Sequence, residues 1–278
     1  MSVQVDKKMG LPPPNAEKYE FYANTVQGNA FKSLCETLKE IVTDINIEID
    51  SHGIKVLAMD NNHVALVHMR LKASNFDQFY CPKPIVCGIS MSKFYQLLKI
   101  MTPTDTLVLY KEREHSGVLF ICIETADKGT STVFELKLLE LAIEKLDVPS
   151  EEFQSVIRMP STTFKKLCHD MSQLADDMEI ISCGNEMHFN IENDWVIQKT
   201  VTKENQSGGL QFIQNLDPDE IIQGVFNLKY LTMFTKCTSL CSHIEIYLKN
   251  GYPIIIKYAV ANIGEVKFCL APKDTGDD

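Results

Sequence analysis

Phe31-Lys32-Ser33-Leu34-Cys35, FKSLC, returns as Phe164-Lys165-Lys166-Leu167-Cys168, FKKLC, 133 residues further along a chain of 278. Each copy opens an amphipathic helical pattern. The first runs through Phe31, Leu34, Leu38, Ile41 and Val42, the second through Phe164, Leu167, Cys168, Met171 and Leu174, each returning its apolar residues to one face. Strand-like segments follow both: INIEID then GIKVLAM in the first half, MEIISC then MHFNIE in the second,. A second pair of helical patterns, from Phe94 to Lys99 and from Leu231 to Lys236, recurs at an offset of 137 residues. The strand patterns DTLVLYKE and SHIEIYLKN come after them. Four elements in the same order predict an internal duplication, with two similar α+β domains per chain.

The remaining segments set the domain boundaries. Residues 1–19 have no counterpart in the second half and read as a flexible extension with a stiff Pro12-Pro13-Pro14 step,. The predicted domains are 20–136 and 153–273, joined by a connector at 137–152 and followed by an acidic tail at 274–278. Around that connector, Leu136 to Leu146 has a helical apolar period, whereas its place between the repeats and its acidic end broken by Pro149 favour an extended connector. Sequence physics leaves both open.

Composition excludes several classes of protein. No apolar run approaches the roughly 18 residues of a membrane span, and the polar, proline-rich N-terminus has no signal-peptide core,; a soluble intracellular protein is expected. The nine cysteines are an odd number and mostly lie in apolar stretches, as reduced thiols do in a reducing compartment. Cys237, Cys241 and His243 form the one cluster that hints at metal, and they lack a second ligand pair at zinc spacing,. No metal and no cofactor is expected. The chain has no G-x-x-x-x-G-K loop, no G-x-S-x-G elbow and no H-E-x-x-H pair, so no enzyme is expected either.

The net charge of −10 argues against a broadly basic nucleic-acid binder,, but not against basic residues gathered on one face. Lys32 and Lys39 are seven residues apart, nearly two helical turns, and share a face,. Lys229 and Lys236 repeat that spacing, and Lys99 and Lys166 lie on the polar sides of the other two helical patterns. A lysine on one polar helix face is ordinary solvation. Four helices with the same arrangement in an acidic chain suggest a basic lining that attracts phosphates without reading bases. With no aromatic residues interleaved among the lysines, duplex is expected rather than a stacked single strand.

Duplicated halves with lysine-bearing helices resemble the sliding clamps of the proliferating cell nuclear antigen family. The resemblance rests on Val26-Gln27-Gly28, Ser51-His52-Gly53-Ile54, Met59-Asp60 with His63-Val64, Phe76-Asp77, Met159-Pro160-Ser161, Phe234-Thr235-Lys236 and the closing Leu270-Ala271-Pro272-Lys273. It spans residues 20 to 274. It implies a DNA clamp fold, with helices lining the inner face of a closed homotrimeric ring around double-stranded DNA and antiparallel sheets outside. Ring closure would pair a strand near Thr132 to Lys137 with one near Trp195 to Thr202 of the next subunit. The implied DNA-facing positions are Lys32, Lys39, Lys99, Lys166, Lys229 and Lys236, with His169 where relatives have arginine and Gln96 where they often have lysine.

The resemblance also implies a groove for short peptide motifs of DNA polymerase, ligase and nuclease, formed by Met59, His63, Leu66, Leu146, Val148, Pro253, Cys269 and Ala271. Cys269 replaces a common aromatic residue, so a larger or less stacked pocket is expected. Asn185 stands near the site where many eukaryotic relatives carry a lysine that is modified after damage, and this sequence offers no lysine there. On this reading Asp60-Asn61-Asn62 is a turn, His68 is an ordinary strand residue, and Met59 to Leu71 is a docking surface rather than an active site. Loading would need an external clamp loader, and the expected location is the nucleus or another site of DNA replication. Two alternatives remain, a heterotrimeric checkpoint-type clamp and a viral processivity factor that does not close into a homotrimer.

Overall fold

The computed structural model describes residues 13–125, 129–142, 146, 152–205 and 207–273. The first half runs β1 (Tyr19–Thr25), α1 (Gly28–Ile41), β2 (Asp44–Asp50), β3 (Gly53–Met59), β4 (Ala65–Lys72), β5 (Gln78–Tyr80), β6 (Ile85–Ser90), α2 (Met91–Leu98), β7 (Thr106–Glu112), β8 (Val118–Thr125) and β9 (Thr130–Lys137). The second half runs β10 (Ser155–Pro160), α3 (Ser161–Ser172), β11 (Asp177–Cys183), β12 (Glu186–Glu192), β13 (Ile197–Lys203), β14 (Gln211–Asn215), β15 (Ile222–Asn227), α4 (Leu228–Phe234), β16 (His243–Leu248), β17 (Ile254–Val260) and β18 (Gly264–Leu270). The helices and strands follow in the same order in both.

The strand neighbours repeat too. Order β5-β1-β7-β8-β9 in the first half has its counterpart in β14-β10-β16-β17-β18, and order β6-β2-β3-β4 in β15-β11-β12-β13. The duplication predicted from four elements thus extends to the whole topology. By compactness the chain forms two units. One comprises the described residues of Met1–Ala58, His68–Lys145 and Val260–Glu265, the other those of Met59–Val67, Leu146–Ala259 and Val266–Asp278.

Local sequence explains the elements. In α1, Phe31, Leu34, Cys35, Leu38 and Ile41 are buried, the spacing that puts a continuous apolar stripe against a sheet. Gly28 starts it because a Cβ there would lie 2.4 Å from the Met101 methyl carbon. In the second half Phe164, Cys168 and Met171 bury the same face of α3, and the Asn227 side chain caps α4 by accepting from the Lys229 amide at 3.1 Å,. Strands β11, β12 and β16 alternate buried and part-exposed residues, as sheets with one covered face do. Ring pairs centre each core: Phe31 against Phe94 at 6.1 Å, and Phe234 stacked on Phe268 at 4.8 Å.

The segment after β9 resolves in favour of extended chain as far as residue 142. The Leu138 amide donates to the Gly117 carbonyl at 2.9 Å and the Leu139 amide to the Gly88 carbonyl at 2.8 Å. The Asn46 side chain donates to the Ala142 carbonyl at 3.0 Å. These backbone groups are committed to neighbours, so the apolar period from Leu136 does not become a helix over this stretch. Gly88 permits the passage, since a Cβ there would sit 2.2 Å from the Leu139 oxygen. Most of the rest of the connector, including Pro149, and the acidic tail lie outside the described residues.

Candidate DNA-facing helices and partner groove

Each lysine singled out from the sequence lies on or beside a helix. Lys99, Lys166, His169, Lys229 and Lys236 are exposed, as are Lys93 on α2 and Lys165 on α3, which the face-sharing argument passed over. Lys32 and Lys39 are half-buried and already engaged. The Lys32 ammonium donates to the carbonyls of Lys99 at 3.0 Å and Met101 at 2.7 Å. Those oxygens belong to the residues just past α2, where the helix dipole favours a cation,. Lys39 pairs with Glu40 and lies over the Tyr95 ring at 5.2 Å.

Lys229 and Lys236 do not sit on one continuous α-helix. The α-helix stops at Phe234, and Lys236 lies in the 3₁₀ turn Thr235–Leu240. Lys99 is likewise the residue just after α2 rather than one within it.

Asp60 organises the other site. Its Oδ1 accepts the amides of Val64 and Ala65, each at 2.8 Å, and its Oδ2 accepts the Asn62 amide at 3.2 Å and the Tyr230 hydroxyl at 2.6 Å. Burial pushes the carboxyl up, but the bonds from Ala65, Tyr230, Val64 and Asn62 outweigh it and hold the pKa below the ordinary carboxylate value,. The Tyr230 hydroxyl is raised, first by burial and also by this carboxylate. His63 ends the turn with φ of 56°. The Asp60-Asn61-Asn62 segment is therefore the expected turn, and its aspartate is consumed in holding it.

That turn forms one wall of a groove of about 310 Å³. Of the predicted residues, Met59, His63, Leu66, Pro253, Cys269 and Ala271 line it together. The Ala271 amide, donating to the Val64 carbonyl at 3.0 Å, ties two of its walls. Leu146 is half-buried but is not part of the lining, and Val148 lies outside the described residues. Val64, Phe153, Tyr252 and Ile255 also line the groove and were not singled out from the sequence. Phe153 and Tyr252 supply aromatic surface, while burial pushes the Cys269 thiol up to about 11 and keeps it a neutral wall atom.

The remaining candidates are structural. His68 is buried in β4, and its Nε2 accepts from Arg70 Nε at 3.0 Å. Cys35 and Cys168 are core residues. The Cys241 thiol donates to the His243 carbonyl at 3.0 Å. Asn185 is exposed in the turn between β11 and β12. No helix among the described residues is long and apolar enough to cross a membrane.

Two edges are open. Among the described residues β9 pairs only with β8, and β13 only with β12. Val133 on β9 is 50% exposed, and Ile197 and Val201 on β13 are 61% and 47% exposed, with Trp195 just before them at 70%. An unpaired strand edge with exposed apolar side chains is a template for pairing with another chain.

A duplicated fold of this topology with lysine-bearing helices and an apolar groove defines a sliding clamp. The family model for the N-terminal domain of proliferating cell nuclear antigen matches residues 20–146, and that for its C-terminal domain matches residues 147–273. The chain belongs to the proliferating cell nuclear antigen family. It is 34% identical over 256 residues to a protein described as probable DNA polymerase sliding clamp 1, of Paramecium bursaria Chlorella virus 1, covering 91% of this chain and 96% of that relative.

Proposed function

We propose that this sliding clamp closes as a homotrimeric ring around double-stranded DNA and holds DNA polymerase there as a processivity factor, without catalysing a reaction. The observation that carries the reading is the complementarity of the β9 and β13 edges. One copy's β9 edge offers Val133 with Glu135 outward, and another's β13 edge offers Ile197, Val201 and Lys199, Lys203 being paired with Glu186 of its own chain at 2.8 Å. Pairing them buries apolar surface and brings opposite charges together. Because the two edges differ, the contact is head-to-tail, and such contacts generate a ring when the rotation closes.

In that ring the helices would face the DNA, with Lys99, Lys166, Lys229 and Lys236 making diffuse phosphate contacts that permit sliding. The groove at Met59, His63, Leu66, Pro253, Cys269 and Ala271 would take short motifs of polymerase, ligase and nuclease. Work at the replication site, with a clamp loader to open the ring, completes the reading. The test is solution mass by light scattering over a dilution series. A mass of three subunits is expected, falling to one in the Ile197→Lys, Val201→Lys double variant. A wild-type monomer at every concentration would remove the homotrimer and favour a heteromeric or non-encircling factor.

A further inference from the structure

The two halves differ at one loop. β5 and β6 are joined by Cys81-Pro82-Lys83-Pro84, whereas their counterparts β14 and β15 are joined by Leu216-Asp217-Pro218-Asp219-Glu220-Ile221. The same topology closes in the first half without the acids and aliphatics, so the fold does not demand them. Ile213 on β14 is 55% exposed, Leu216 55% and Ile221 53%. A single exposed aliphatic is ordinary. Three between Ile213 and Ile221 gather apolar surface of the kind that marks protein contacts.

Hydrogen bonds hold this loop in one shape. The Leu216 amide donates to the Gln154 carbonyl at 3.0 Å, the Gly184 amide to the Pro218 carbonyl at 3.1 Å and the Glu220 amide to the Asp217 carbonyl at 3.2 Å. The Asp217 carboxylate accepts the Asp219 amide at 3.1 Å, and Glu220 accepts from Gln154 Nε2 at 2.8 and 2.9 Å. Asp217 and Asp219 are exposed. Among the described residues no lysine, arginine or histidine forms an ion pair with Asp217, Asp219 or Glu220.

From this surface we infer that the stretch from Ile213 to Ile221 docks a basic amphipathic segment of a protein partner, in which aliphatic residues are flanked by lysine or arginine. The aliphatics cover Ile213, Leu216 and Ile221 while the cations reach Asp217 and Asp219. A symmetric contact with a second copy would set these carboxylates against their own kind, and a phosphate surface would be repelled. The fixed loop offers its charges without further ordering. Charge complementarity of this sort chooses among partners more than it adds affinity.

The experiment uses the full chain and three fluorescein-labelled peptides, read by fluorescence polarisation. One has leucines flanked by lysines, one has glutamates in place of the lysines, and one has serines in place of the leucines. The leucine–lysine peptide should bind most tightly, less so as salt is added. Asp217→Lys with Asp219→Lys should weaken it by roughly threefold to tenfold, the range of two exposed ion pairs turned to like charge. Leu216→Ser with Ile221→Ser should weaken it by about as much. Asp44→Lys with Glu114→Lys, an equal charge change at exposed sites in the first half, should leave it unchanged, and melting curves confirm that each variant is folded. Equal losses in the two lysine variants would overturn the inference, since net charge would then hold the peptide. Full binding by the serine variant, or no binding by the wild type, would also overturn it. A lower solution mass for the serine variant would overturn it by assigning the surface to a second copy.

Discussion

Asp60 shows how one side chain can set a surface without being part of its chemistry. Four donors converge on its two oxygens, from Asn62, Val64, Ala65 and Tyr230. Asp60→Asn keeps the shape but turns one acceptor into a donor, leaving amides or the hydroxyl without partners, at a cost of about 1–3 kcal/mol for a buried group. A urea titration should show the lower midpoint. The carboxyl's depressed pKa fixes the sign of the pH effect. The unfolded chain binds this proton more readily, so the stabilisation is fully present above the unfolded carboxyl value of about 4 and fades as pH falls through the folded value. Stability measured from neutral pH into acid should therefore drop more in the wild type than in Asp60→Asn, narrowing the difference between them. Equal slopes would mean that Asp60 is not a linked group. The turn itself was legible, because Asp-Asn-Asn is turn chemistry. The bond from Tyr230, 170 positions away, was not, since nothing local in either segment announces it.

At the scale of elements, what was legible followed periodicity, and what was lost followed changes of pitch or long-range pairing. The FKSLC echo located α1 and α3 because both bury the same apolar spacing. The end of α4 was not legible because a sequence window cannot see an α-helix tighten into a 3₁₀ turn after Phe234. The apolar period beginning at Leu136 was ambiguous until its backbone groups were found bonded to Gly117, Gly88 and Asn46. In the groove, six lining residues came with the family resemblance, whereas Phe153 and Tyr252 come from segments whose own pattern points to no site.

The lysines divide by the same logic. Lys32 holds the end of α2, whereas Lys229 is exposed on α4. Lys32→Ala should cost about 1–2 kcal/mol by freeing two carbonyls and removing a cation from a helix C-terminus. Lys229→Ala should stay within about 0.5 kcal/mol, as exposed substitutions do. Thermal or urea unfolding of the pair checks this, and equal losses would show that the Lys32 contacts do not stabilise α2.

For the whole molecule, encirclement and phosphate contact make separable demands. An acidic chain with net charge −10 cannot hold DNA strongly by charge alone, because each phosphate contact is weakened as salt replaces released counterions. A closed ring needs no such affinity: it leaves only by opening or by reaching an end. The clamp should therefore thread onto linear duplex and, once bulky blocks cap both ends, resist a high-salt wash. Cutting the duplex between the blocks should release it. Replacing both Lys166 and Lys229 with Glu should slow threading and alter sliding while retention behind the blocks persists. The Ile197→Lys, Val201→Lys variant should not be retained at all. Gel filtration of the washed complexes reads each case directly. If wild-type retention instead follows salt and ignores the blocks, contact rather than topology holds the protein, and the edges of β9 and β13 serve some other pairing.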